Sequence, residues 1–181
     1  MKYQGIEKDD INQDSILHFL CPANDTFPNN NSLELCVLKQ VFSPGATNLV
    51  ELIEQCFLKN GWPPAWRNGL YDMHHYHSTA HEALGIYEGC VEVCFGGPGG
   101  IVQTATAGDV IIIPAGISHK NMKQSENFKV VGAYPKGQPW NMKYGRQGER
   151  PQVDVEIQQV ALPQRDPVYG IDGPLMKIWV K

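Results

Sequence analysis

The chain has 181 residues, with 15 Lys and Arg against 19 Asp and Glu, 42% hydrophobic residues, 18 glycines and 13 prolines, a composition that predicts one compact folded domain over 1–181 and excludes a disordered chain. A domain of this size buries roughly 70% of the surface its unfolded chain exposes, so it needs neither a disulfide nor a structural metal merely to fold. A formal charge of -4 excludes a strongly basic nucleic-acid binder, and no run approaches the roughly 20 apolar residues of a membrane span.

In chain order, MKYQGIEKDDINQDS places acids where a secretion signal needs an apolar core, which predicts a cytoplasmic protein. The cysteines at 21, 36, 56, 90 and 94 are odd in number and lack C-x-x-C spacing; they are expected to be free, buried or half-buried thiols. After the turn-rich PNNNS, residues 33–42 (LELCVLKQVF) predict a strand. Residues 47–59 then space Leu49, Leu52, Ile53, Cys56 and Phe57 by three and four, ahead of Asn60-Gly61, which predicts one amphipathic helix within an N-terminal extension of residues 1–62.

From residue 70 to 134 the pattern becomes short apolar or alternating runs separated by glycine: LGIYEG, CVEVCFGGPGG, IVQTATAGD, VIIIPAG and FKVVGAY. That rhythm predicts a mainly all-β sandwich or barrel, with turns at Glu88-Gly89, at GGPGG and at Ala107-Gly108-Asp109. Residues 134–150 show no period and predict a long ordered loop whose Trp140, Lys143, Tyr144 and Arg146 either cover a pocket mouth or pack a homodimer. VDVEIQQVAL at 153–162 and LMKIWVK at 175–181 predict two further strands.

Four of the six histidines (74, 75, 77 and 81) fall within DMHHYHSTAHE. In an extended strand His75 and His77 share a face about 6 to 7 Å apart at Cα, while His74 and Tyr76 face away. Glu82 opens the next apolar run and is placed to return a carboxylate beside them; His119 is the one unclustered histidine on the β part. Imidazoles with a carboxylate are ligands of divalent first-row metals. His81 reads as an alternative ligand or a neighbour of the ligands, and His74 and His18 as structural residues. By strand parity Tyr71 and Met73 accompany His75 and His77, Leu84 and Ile86 accompany Glu82, and Asn121 and Lys123 accompany His119. Tyr71, Met73, Asn121, Lys123, Trp140 and Tyr144 are therefore the candidate substrate pocket, with Lys123 a candidate partner for an anion.

Gly69, five residues, His75-Tyr76-His77, four residues, Glu82, six residues and Gly89 resemble the first motif of the cupins. Gly108, five residues, Pro114-Ala115-Gly116, two residues and His119 resemble the second, except that Lys123 stands where the motif ends in Asn. The motifs occupy 69–89 and 108–123, and the wider run from NGWPPAWRNG to HHYHSTAHEALGIYEG is similar to small bacterial cupins of the YjlB type. The resemblance implies a cupin double-stranded β-helix, or jelly-roll barrel, with one divalent transition metal ion (Fe, Mn, Ni or Zn) held by His75, His77, Glu82 and His119. It implies a small-molecule ligand, and a choice between a metal-dependent enzyme of dioxygenase or isomerase type acting on a small polar or anionic molecule and a non-catalytic binding or sensing protein. Three ligating histidines also predict that metal affinity falls in acid more steeply than for one titrating group.

Overall fold

The computed structural model describes residues 15–180, so the reading of residues 1–14 as free of a secretion signal lies outside the described residues. Nine strands and three helices follow in order: β1 (Ile16–Cys21), β2 (Asn30–Leu38), α1 (Leu49–Lys59), β3 (Pro64–Asn68), β4 (Glu82–Glu88), β5 (Cys90–Phe95), β6 (Ile101–Thr106), β7 (Val110–Ile113), β8 (His119–Gln124), β9 (Lys129–Ala133), α2 (Gln152–Gln159) and α3 (Leu175–Ile178). They form a six-stranded sheet in the order β1-β2-β7-β4-β9-β3 and a three-stranded sheet in the order β6-β5-β8, with antiparallel pairing throughout. This is the mainly all-β architecture expected from the short-run rhythm, in the jelly-roll form that the cupin resemblance implies.

Strand parity sorts the core into two layers. Leu35 and Val37, Leu84 and Ile86, Ile111 and Ile113, and Val130 face the small sheet, where they meet Val91, Val93 and Phe95. Their neighbours Cys36, Leu38, Ala83, Val110, Ile112 and Val131 face outward against Ile53, Cys56 and Phe57 of α1 and Trp179 beyond α3. Both faces of the large sheet are covered, which is why VIII in β7 is apolar without alternation. Burying a side chain of this kind contributes about 1.5–3 kcal/mol. Two close approaches need glycine. A Cβ on Gly85 would lie 2.4 Å from Ile53 of α1, and one on Gly132 would lie 2.0 Å from the Trp66 ring.

The helix expected at 47–59 runs over Leu49–Lys59 and buries Leu49, Ile53, Cys56 and Phe57. Two expectations fail at the C-terminal end. VDVEIQQVAL is not a strand: Gln152–Gln159 is a helix, because Val153, Ile157 and Val160 turn inward at helical spacing while Val155 stays exposed, and Arg150 pairs with Asp154 one turn on. LMKIWVK likewise contains the short helix Leu175–Ile178, whose first amide donates to the buried Asp166 carboxylate and whose Leu175 and Trp179 both pack into the core. The structure thus has three helices where one was expected, while β1, β3 and β8 lie outside the apolar runs that predicted strands. All five cysteines are free; Cys21, Cys36, Cys56 and Cys94 are buried, but Cys90 is exposed, starting β5 on the open side of the small sheet.

Candidate metal centre

His75 and His119 form a two-way backbone bridge, His75 N to His119 O at 3.1 Å and His119 N to His75 O at 2.9 Å, which sets their rings 4.1 Å apart, centre to centre. Two residues on, His77 is held at its carbonyl by the Gly116 amide, 2.7 Å away, so the turn after β7 fixes the second imidazole of the pair. One nitrogen from each of His75, His77 and His119 lies within 4.8 Å of the others, a cluster able to hold a metal ion, and all three side chains are buried. Glu82 enters from the first position of β4, on the face shared with Leu84 and Ile86; its Oε2 is 3.4 Å from Nε2 of both His77 and His119.

The proton placement follows from the partners. Nδ1 of His75 faces the Met73 carbonyl at 3.0 Å, Nδ1 of His119 faces the Ile117 carbonyl at 3.2 Å, and Nδ1 of His77 faces the Asn141 carbonyl. A carbonyl only accepts, so each Nδ1 carries the hydrogen and each neutral ring keeps its Nε2 lone pair free. Among the buried polar atoms, Nε2 of His119 and Oε2 of Glu82 have no hydrogen-bond partner. Two buried acceptors facing each other repel unless a cation lies between them, so this donor set fits a divalent ion.

Electrostatics support the same arrangement. Burial alone would raise the Glu82 carboxyl, but the His77 and His119 imidazoles and the Tyr134 hydroxyl hold it down at about 2. Burial, with His75 beside it, pushes His119 down to about 3, and burial also lowers His75. Burial opposes charge on His77 too, yet the Glu82 carboxylate and the Asn141 carbonyl outweigh it and raise that ring above its ordinary value.

The cluster forms one end of a cavity of about 430 Å³ lined by residues that include Trp66, Leu70, Tyr71, Tyr134, Trp140, Met142 and Tyr144. Of the six expected pocket residues, Tyr71, Trp140 and Tyr144 are there. Met73 is not: the chain bends at Asp72-Met73, strand parity breaks, and Met73 contributes its carbonyl to His75 while its side chain stays exposed. Asn121 and Lys123 are absent too. Asn121 keeps the parity of His119, but its side chain is bonded to Leu70 and Gln124; beyond it a bulge at Met122 shifts the β5–β8 register and leaves Lys123 exposed opposite Glu92. His81 turns from the cluster; its Nδ1 accepts from the Ala115 amide at 3.0 Å and its ring packs on Trp179. His74 bonds Ser118 and lies against Phe27 on the far side, and His18 pairs with Glu34 at the surface.

A family model described as Cupin matches residues 67–138, a span that holds every member of the histidine cluster. The uncharacterized protein YjlB of Bacillus subtilis (strain 168) is 35% identical over 163 residues, 90% of this chain and 96% of its own. The chain belongs to the cupin family. A solved structure, the DMSP lyase DddQ from Ruegeria pomeroyi DSS-3, is similar over 80% of this cupin and 58% of that chain at 20% identity and a TM-score of 0.35, too distant a likeness to bear on chemistry.

Tyr134, like Trp66 beside it, belongs to this cupin site but was not among the residues expected from the sequence. Its hydroxyl donates to Oε1 of Glu82 at 2.7 Å and accepts from Trp66 Nε1 at 3.0 Å. Burial and the neighbouring carboxylate raise its phenol, so it stays a proton donor. The signal was available, since Tyr134 continues the inward parity of Val130 and Gly132 one residue past β9. Tyr134→Phe leaves the ring in place but removes the donor that orients Glu82. Metal affinity is expected to fall about tenfold, within the range for partners that orient ligands, as checked by titration against a competing chelator. Unchanged affinity would show that Glu82 does not depend on this bond.

Proposed function

We propose that this cupin holds one divalent transition metal ion through His75, His77, Glu82 and His119, and uses it as an enzyme of oxygenase or isomerase type on a small molecule with a polar or anionic head. The observation that carries the reading is the common orientation of three buried imidazoles, each giving its Nδ1–H to a backbone carbonyl and turning Nε2 to the same point. When bound, such an ion supplies Lewis-acid polarisation or oxygen activation at the positions the protein leaves open. The chain's own part is to neutralise one unit of positive charge with Glu82, to keep that carboxylate oriented through Tyr134, and to exclude water with the aromatic walls. The free thiols support a cytoplasmic setting.

One observation favours the alternative of binding or sensing without turnover. Apart from the four proposed ligands, the ionisable side chains lining the cavity are tyrosines, so no free carboxylate or imidazole stands ready as a general base. Natively purified protein separates the readings. About one equivalent of Fe, Mn, Ni or Zn per chain is expected by elemental analysis, together with metal-dependent oxygen uptake or solvent-deuterium exchange on a panel of small hydroxylated carbonyl compounds. Bound metal with neither activity supports the binding protein. A chain that takes up no metal even on reconstitution sinks both.

A further inference from the structure

The walls of the cavity differ in character from its metal-binding end. Among the described residues only two aromatic side chains are exposed, Tyr71 at 58% and Trp140 at 46%, and both line this cavity. Each stands edge-on to a different histidine of the cluster. The Tyr71 ring centre is 5.2 Å from that of His75 at 84°, and the Trp140 ring centre is 5.7 Å from that of His77 at 69°. Trp140 is backed on one side by Tyr134, stacked at 5.3 Å and 16°, so its indole is held in a fixed plane while the remainder stays open. The two exposed aromatic side chains of the described surface thus meet at one cavity, an area kept available for something that covers it.

Charge narrows what that is. No lysine or arginine is among the residues lining the cavity. Of the cations that the sequence offered, Lys123 is exposed on β8, and Arg146 lies over the ring of the lining residue Tyr144 at 4.8 Å without itself entering the lining. With Glu82 offsetting one charge of a divalent ion, the centre keeps a net charge that one anionic oxygen head satisfies. A second anionic group on the same molecule would be buried against aromatic walls with no partner, which is costly.

Building on the proposed metal site, we propose that the cavity takes a small molecule with one bidentate oxygen head for the metal and a flat apolar body, carrying no second anionic group, that packs against Trp140 and Tyr71.

Hydroxamates test this without knowledge of the natural ligand, because the head is constant and the body varies. The full chain is loaded with zinc, which is redox-silent, and titrated calorimetrically with acetohydroxamate, benzohydroxamate and 4-carboxybenzohydroxamate, each normalised to its affinity for free zinc. Benzohydroxamate is expected to bind about tenfold tighter than acetohydroxamate, the size of one aromatic contact, and the 4-carboxylate is expected to cancel that gain. Trp140→Ala, and separately Tyr71→Ala in case one variant folds poorly, should bring the ratio towards one at unchanged zinc content. A wild-type ratio of one, or preference for the carboxylated probe, overturns the proposal while the metal site stands. A Trp140→Ala protein that changes oligomer size yet keeps the wild-type ratio also overturns it, because the rings then serve a second copy of the chain. A wild-type chain that retains no zinc overturns the metal site itself, and this proposal with it.

Discussion

His119→Ala will lose its metal and keep its fold. The imidazole is buried, its Nδ1–H is fixed on the Ile117 carbonyl, and its Nε2 points to Oε2 of Glu82, so truncation removes one of the four proposed donor atoms outright. The backbone that His119 contributes stays. Its amide and carbonyl still bridge His75, and its pairing with Phe95 of β5 is independent of the side chain. The apolar layer beneath, including Leu84, Ile86 and Phe95, is untouched, so thermal unfolding should shift by a few degrees at most while metal affinity falls by at least about a hundredfold. Elemental analysis after dialysis, alongside a circular-dichroism melt, reads both quantities. Unchanged metal at unchanged melting temperature would remove His119 from the ligand set. His81→Ala is the matched control and should keep the ion, since its Nδ1 is committed to the Ala115 amide.

The pH dependence of metal binding should follow one proton. Three ligating histidines led to the expectation of a steeper response, but the buried site treats them unequally. Burial holds His75 and His119 below the ordinary imidazole value, so at neutrality both are neutral and offer the ion no competing proton, and His119 stays so down to about 3. His77 is raised by the Glu82 carboxylate, so below its raised value it gains a second proton that the ion must displace, and above that value it is neutral like the others. Affinity should therefore be flat above the raised value of His77. Below it, affinity should fall about tenfold per pH unit, the slope for one displaced proton. The fall steepens further into acid as His75 protonates, and again where His119 at about 3 and Glu82 at about 2 take up protons. Competition against a chelator of known protonation behaviour measures the slope. A slope of two or three already at neutrality would mean that His75 and His119 are not in the buried environment described above.

What was legible in the sequence was what depends on local period. The inward face of β4 could be read because Glu82, Leu84 and Ile86 alternate without interruption, and α1 because its apolar residues recur at three and four. Parity failed where the strand was irregular, at the bend of Asp72-Met73, which turned Met73 outward, and at the Met122 bulge, which shifted Lys123, whereas Asn121 kept its parity and was tied up by Leu70 and Gln124. In α2, Val153, Val155 and Ile157 satisfy a period of two as well as Val153, Ile157 and Val160 satisfy a helix, and only tertiary packing decides between them. Trp66 was hidden for a different reason. It reaches the cavity from β3, a short strand with no apolar run of its own, across a glycine on β9 that leaves room for its ring.

Residues 134–150 form a wall that is fastened to the histidine segment itself. The Asn141 carbonyl takes the His77 Nδ1–H, the Asn141 side chain exchanges two hydrogen bonds with Ser78, Ser78 continues to Glu156 of α2, and Tyr76 and Lys143 bond each other in both directions. Swinging this wall aside would break several bonds of about 1 kcal/mol each and free the His77 ring to turn in the same event. The loop therefore does not act as an independent flap over the cavity. Slow amide exchange at Tyr76 and Lys143 and slow escape of a bound ion then report a single opening, so the lifetime of the metal in this barrel is set by how often 15 or so residues of loop let go together.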